Sequence, residues 1–218
     1  MICVSLAEET LDDYLVALEG TGLAEIRLDM THLTLPEVTR LFSAHSGLIA
    51  TCRPGPFPDE ERKALLLAAI DAGAAYVDIE VDSEKACQRE IIARARSRGC
   101  KIIVSFHDHE KTPERGVLEA TIAECFATGA DIAKIACTAR SERDNARLLG
   151  LLDAKRPVVV VAMGARGRIV RIVAPLLGSP FTFASLRSGR ETAGGQIDRE
   201  SLSKLLEILG KHTAEVSS

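Results

Sequence analysis

At 218 residues, with 46% hydrophobic and 27% charged residues, the chain has the proportions of one sizeable globular domain rather than a disordered or fibrous protein. A formal charge of −4 and a pI near 5.8 argue against a nucleic-acid partner, which needs a basic face to neutralise phosphates, and no apolar run approaches the ~20 residues of a membrane span. The start MICVSLAEET lacks a basic region followed by a long apolar segment, and the six cysteines include no CxxC pair, so the expectation is a cytoplasmic protein with reduced thiols and a small-molecule partner.

Short β-branched runs alternate with longer amphipathic stretches along the whole chain. The strand candidates, in order, are ICVSL (2–6), AEIRL (24–28), LIATC (48–52), AYVDIE (75–80), KIIVSF (101–106), DIAKIAC (131–137), VVVVAM (158–163) and FTFAS (181–185). Helical patterns cover 59–73, 83–99, 112–129 and 197–212, among others. In the 112–129 segment Thr112 reads as the N-cap, Pro113 as the first helical residue and Gly129 as the residue past the end. Eight strand-then-helix units predict a single-domain (β/α)8 barrel over residues 1–218, and the lack of a Gly-rich fingerprint after the first strand counts against an open doubly wound sheet.

In such a barrel alternate strand residues face the interior, and function sits at the C-terminal strand ends. Parity then turns Glu25 and Arg27, Thr51 and Arg53, Asp78 and Glu80, Ser105 and His107, and Lys134 inward. Each alone could be half of a structural ion pair, and Lys134 in particular could pair with Glu25, Asp78 or Glu80. Their convergence points instead to a site for a charged small molecule, because many buried charges add little net stability. A partly neutral Lys134 amine would condense with a ketone or aldehyde, and His107 on the adjacent strand has the chemistry to take and return a proton near neutrality. HDH (107–109) also admits a His-x-His metal reading, although no other histidine is placed to complete it; His109 reads as a loop residue beyond the strand. Gly164 and Gly167 form a loop after strand seven, followed by a solvated Arg168 and by Arg171, a better anion ligand, while LRSGRETAGGQID has the composition of a mobile loop able to close over a ligand.

The ordered set EIRLD (25–29), TCR (51–53), YVDIE (76–80), SFHD (105–108), DIAKIA (131–136), MGARGRIVR (163–171), GSPFTFA (178–184) and GGQI (194–197) resembles the type I 3-dehydroquinate dehydratase family over nearly the whole chain. The resemblance implies that Lys134 forms an imine with the ketone of 3-dehydroquinate and that His107 removes the neighbouring proton, then protonates the leaving hydroxyl. It implies further that Arg171 binds the substrate carboxylate with Thr192 and Gln196 closing over it, that Glu25, Arg27 and Arg53 hold ring hydroxyls, that Ser5 joins this set, and that Asp78 and Glu80 support the lysine and histidine. No metal or organic cofactor is implied, and a homodimer is.

The chain departs from the family pattern after Arg53, where a Glu-Gly-Gly whose glutamate orients the histidine is absent from RPGPFPDEER (53–62). Asp59 and Glu60 read as the start of the third helix, which leaves Asp78 as the candidate to orient His107. Val170 and Thr192 stand where serines are usual, the second keeping a hydroxyl. The alternatives are another lysine-imine barrel of the aldolase type, with a phosphate nest near MGARG, and an inactive barrel that only binds a metabolite.

Overall fold

In the computed structural model, residues 1–55 and 57–215 are described, with side chains as far as residue 210; Pro56 of the 53–62 loop, His212 and the end of the predicted domain lie outside. Eight strands and eight helices alternate: β1 (Ile2–Leu6), α1 (Leu11–Leu18), β2 (Ala24–Arg27), α2 (Leu35–Ala44), β3 (Leu48–Thr51), α3 (Asp59–Asp71), β4 (Tyr76–Glu80), α4 (Lys85–Arg98), β5 (Lys101–Asp108), α5 (Arg115–Thr128), β6 (Ile132–Thr138), α6 (Glu142–Leu149), β7 (Val158–Met163), α7 (Arg168–Val173), β8 (Thr182–Ser185) and α8 (Arg199–Glu215). The strands form one parallel sheet in the order β7-β6-β5-β4-β3-β2-β1-β8, and β7 meets β8 across the remaining seam. This is the predicted (β/α)8 barrel.

Strand parity divides the apolar residues into two cores. Val4, Ile26, Ala50, Val77, Ile102, Val104, Ala133, Ile135, Val158 and Val160 point outward and pack under the helices. Cys3, Ile49, Ile103, Ile132, Val159, Phe181 and Phe183 fill the barrel interior. The interior changes character along the strands: in the parallel register Ile49 precedes Thr51, Ile103 precedes Ser105 and Ile132 precedes Lys134. An apolar plug therefore closes the N-terminal side, and polar side chains begin one layer above it.

Helix boundaries follow local chemistry. Gly99 and Gly129 end α4 and α5 at φ of 71° and 117°, a left-handed backbone that favours glycine. Helix α5 begins later than predicted. Thr112 is not its N-cap: the hydroxyl donates to the Thr138 carbonyl at 2.9 Å, tying the loop to the end of β6, and Glu114 takes the cap position with Pro113 outside the helix. The six cysteines are all free thiols, and among the described residues no helix is long and apolar enough to cross a membrane.

Gly167 joins β7 to α7 where the backbones nearly touch. A Cβ there would stand 2.5 Å from the Ala162 carbonyl oxygen and 2.7 Å from the Ala162 Cβ. Gly167→Ala is therefore expected to lower stability by about 1–3 kcal/mol through overpacking, read as a lower urea midpoint at unchanged slope; a midpoint equal to that of the wild type would show that α7 retreats freely.

Candidate active site

Lys134 occupies the middle of β6 with a side chain 6% exposed, and Nζ donates to Asp78 Oδ2 at 2.9 Å and Glu25 Oε1 at 3.3 Å. Its two partners come from β4 and β2, so the ammonium sits inside the barrel between facing walls. Nζ also lies 4.3 Å from the ring centroid of Phe183 on β8, a cation over an aromatic face. Of the three carboxylates that sequence parity offered as partners, Glu25 and Asp78 take the lysine, and Glu80 does not.

Each carboxylate is itself held. Glu25 accepts from the Ser5 hydroxyl and from Thr51 Oγ1 at 3.1 Å. Burial alone would push its carboxyl up, yet Lys134, Arg27 and Arg53 bring it down to about 2. Asp78 accepts a two-pronged contact from Arg53, 2.6 Å to Nη2 and 3.1 Å to Nη1, and the Ser105 hydroxyl as well. Against the burial penalty, Arg53 and Lys134 hold Asp78 well below the ordinary carboxylate range. Two buried carboxylates thus stay ionised because cations flank them.

His107, two residues above Ser105 on β5, stands opposite Ala136, about 7 Å further along the strands than Lys134. Its Nδ1 lies 2.9–3.0 Å from the carboxylate oxygens of Glu80. Glu80, not the expected Asp78, therefore orients the ring: the carboxylate two residues further up β4 reaches the imidazole, while Asp78 is turned to Lys134 and Arg53. Burial and the Arg53 charge lower the His107 pKa more than Glu80 raises it, so the imidazole is neutral near pH 7. A carboxylate only accepts hydrogen bonds, so Nδ1 carries the proton and Nε2 is left with a free lone pair, the arrangement of a general base.

Arg171 differs from every other cation here. It is 1% exposed on α7, it contacts the Phe183 and Gly194 carbonyls only at 3.4 and 3.5 Å, and its Nε has no partner. Among the described residues no carboxylate lies within ion-pair distance of it, and burial pushes its pKa down to about 10. A buried guanidinium without an anion is a receptor for one.

The loop after β8 covers this region. Thr192 Oγ1 donates to Ser5 Oγ at 2.7 Å, the Thr192 amide donates to Gln196 Oε1 at 2.8 Å, and the Thr192 carbonyl accepts from Arg27 Nη1 at 3.2 Å. Gly164 N donates to the Gly194 carbonyl at 3.1 Å, and a Cβ on Gly195 would stand 2.3 Å from Gly164 O, so this loop can rest on the loop after β7 only with glycine there. Arg190 reaches the buried Glu8 at 3.4 Å. The segment expected to be a mobile cover is thus docked over the cavity.

The resulting cavity of about 530 Å³ brings together Glu25, Arg27, Arg53, Glu80, His107, Lys134, Arg171, Thr192 and Gln196, a size that suits one small ring. Ser5 and Asp78 stand behind it as partners of Glu25 and Lys134. Arg168, as expected, is exposed at the start of α7. The lining also contains Asp29, Asp82, His109, Val161, Met163 and Phe183, which the sequence reading did not select. Val161, Met163 and Phe183 share the inward parity of their strands and were findable that way. Asp29 was quoted only as the end of EIRLD; it holds Arg27 at 2.6 and 3.1 Å. His109 does follow the end of β5, but its ring stacks on His107 with centroids 6.0 Å apart.

Comparison with known proteins places this geometry. The family model described as Type I 3-dehydroquinase matches residues 2–213. A 3-dehydroquinate dehydratase of Methanosarcina mazei is 34% identical, with 96% of this chain and 94% of that protein covered. Another, of Dehalococcoides mccartyi, is 36% identical over 87% of this chain and 86% of its own length. The crystal structure of 3-dehydroquinate dehydratase from Geobacillus kaustophilus superimposes with a TM-score of 0.86 at 25% identity, covering 96% of this chain and 91% of that one.

The depressed carboxyls set the acid response. A group whose folded pKa lies below its unfolded value contributes stability that is present above the unfolded pKa and lost as pH falls through the folded one. Glu25, at about 2 against 4.5 unfolded, carries about 3 kcal/mol in this way; Asp78 and Glu80 act in the same direction. His107, lowered from 6.5, adds an earlier loss that begins as the unfolded imidazole protonates. Unfolding free energy is expected to decline below about pH 6.5 and more steeply from about pH 4.5 toward 2. Glu25→Gln should flatten the lower part of the curve, and an unchanged acid slope would remove Glu25 from the account.

Proposed function

The chain belongs to the type I 3-dehydroquinase family, and we propose that it dehydrates 3-dehydroquinate to 3-dehydroshikimate through an imine on Lys134, with His107 as the general base and acid. The single observation that carries this reading is a lysine held inside the barrel between Glu25 and Asp78, beside a histidine whose free nitrogen is Nε2.

The Lys134 amine, having given up a proton, adds to the substrate ketone and water leaves, giving an iminium. Nε2 of His107 takes a proton from the neighbouring carbon, and the C–H electron pair moves into the iminium to give an enamine. The enamine returns that pair to expel the β-hydroxyl, which leaves as water with the proton from His107. Hydrolysis of the product iminium frees Lys134, and the net change is loss of one water. The nitrogen is cationic as ammonium and again as iminium, so the carboxylates of Glu25 and Asp78 face a positive charge in both states and need not rearrange.

Arg171 supplies the receptor for the substrate carboxylate. Thr192, Gln196 and Ser5 close the cavity over it, and Glu25 and Arg27 face the ring hydroxyls. Asp78 and Glu80 support the lysine and the histidine. These steps use side chains alone. The phosphate nest that an aldolase-type substrate would want has little support, because the Gly164 and Gly167 amides are already bonded to the Gly194 and Gly164 carbonyls. A homodimer in the cytoplasm belongs to the same proposal; exposed Leu176 and Leu177 after α7, with Ile208 on the adjoining α8, are apolar surface that a second copy would bury.

Borohydride added during turnover is expected to fix a substrate-derived mass on Lys134. Lys134→Ala should show neither adduct nor dehydration, and His107→Asn should lose roughly 10²–10⁴ in kcat, the usual contribution of a positioned acid–base group. Normal turnover by Lys134→Ala would defeat the imine reading and leave the lysine as half of an ion pair.

A further inference from the structure

Arg53, just beyond β3, reaches the cavity with a side chain 15% exposed, yet its donors are largely engaged before any substrate arrives. Nη2 meets Asp78 Oδ2 at 2.6 Å. Nη1 meets Glu80 Oε1 at 2.6 Å, Ser105 Oγ at 2.8 Å and Asp78 Oδ1 at 3.1 Å. The two carboxylates have different clients: Asp78 is the nearer partner of Lys134, and Glu80 is the partner of His107.

We propose that Arg53 is a positioning residue which fixes Asp78 against Lys134 and Glu80 against His107, so that one guanidinium sets both the imine-forming amine and the base. This extends the Lys134–His107 reading and rests on it, and it replaces the ring-hydroxyl contact that the resemblance implies for this arginine.

Geometry requires a group of this shape. Asp78 and Glu80 lie two residues apart on the same face of β4, so their charges repel across a short gap. A planar fork bridges both at once, whereas the compact lysine ammonium reaches one. The charged and titratable groups around the His107 ring are Glu80 and Asp78 from β4, Arg53 from the end of β3, Lys134 from β6 and His109 beyond β5. Arg53 keeps Glu80 ionised as an acceptor for Nδ1 and disfavours the imidazolium. With Arg53 removed, His107 protonates more readily and the fraction present as free base at a given pH falls.

The test is steady-state kinetics from pH 5 to 9 on Arg53→Lys and Arg53→Met, beside an NMR titration of the His107 ring in the substrate-free protein. Arg53→Lys keeps a charge and loses the fork; kcat should fall about 10–100-fold while KM stays within about threefold, since the altered contacts are not with substrate. Arg53→Met should also move the acid limb of kcat, and the His107 titration, upward by roughly one pH unit. A large rise in KM with kcat and acid limb as in the wild type would overturn the proposal and return Arg53 to the substrate. If Arg53→Met does not fold, the Arg53→Lys split decides. Failure of the imine reading registers separately, as absence of the Lys134 adduct in the wild type, and the His107 titration of the Arg53 variants still judges the contact to Glu80.

Discussion

Compensation of one buried ammonium organises the mouth of this barrel. An isolated charge among the Ile103, Ile132 and Val159 side chains would cost several kcal/mol, and one carboxylate at Lys134 would only transfer the cost to the next group. The solution is a run of alternating sign: Glu25, Lys134, Asp78, Arg53, Glu80 and then His107. The members come from different strands, so their spacing is fixed by the parallel register rather than by any loop. A side chain removed from the middle strands a charge on each side, which is why such a run is weak evidence for stability and strong evidence for chemistry.

Two arginines at the same mouth show how environment separates roles. The donors of Arg53 meet two carboxylates and a hydroxyl, and the surrounding anions raise its pKa despite burial. Arg171 is buried without an anion and its pKa is lowered. Sequence resemblance assigned both to substrate. The hydrogen bonds divide them: Arg171 has unmet demand for a negative group, and Arg53 has very little.

Much of this was legible in the chain. Alternation of β-branched runs with amphipathic stretches fixes eight units, and within a strand parity alone decides which side chains meet inside, as for Asp78 and Glu80 or Ser105 and His107. Partner choice within the cluster was not legible, because it depends on how far each side chain reaches across neighbouring strands; hence Glu80 rather than Asp78 on His107. The early start assigned to α5 failed for a related reason. Thr112 has an N-cap residue's chemistry, but a carbonyl at the end of β6, distant in sequence, competes for its hydroxyl. The apolar lining was overlooked because the search followed charge, although Phe183 lies against the lysine.

The loop after β8 connects with the charge run at its outer end. Thr192 donates to Ser5, and Ser5 donates to Glu25, so a lid residue is one hydroxyl away from the partner of Lys134. The same loop presents the Gly194 carbonyl to Arg171 and rests on Gly164 through a contact that only glycine permits. A carboxylate arriving at Arg171 offers that guanidinium a far stronger acceptor than a carbonyl 3.5 Å away. The lid is then held by its neutral contacts to Ser5, Arg27 and Gly164, while Arg171 is free to turn toward the ligand. Closure and charge compensation thereby share residues without sharing a charge, and the cavity can close over an anion while leaving the balance around Lys134 unaltered.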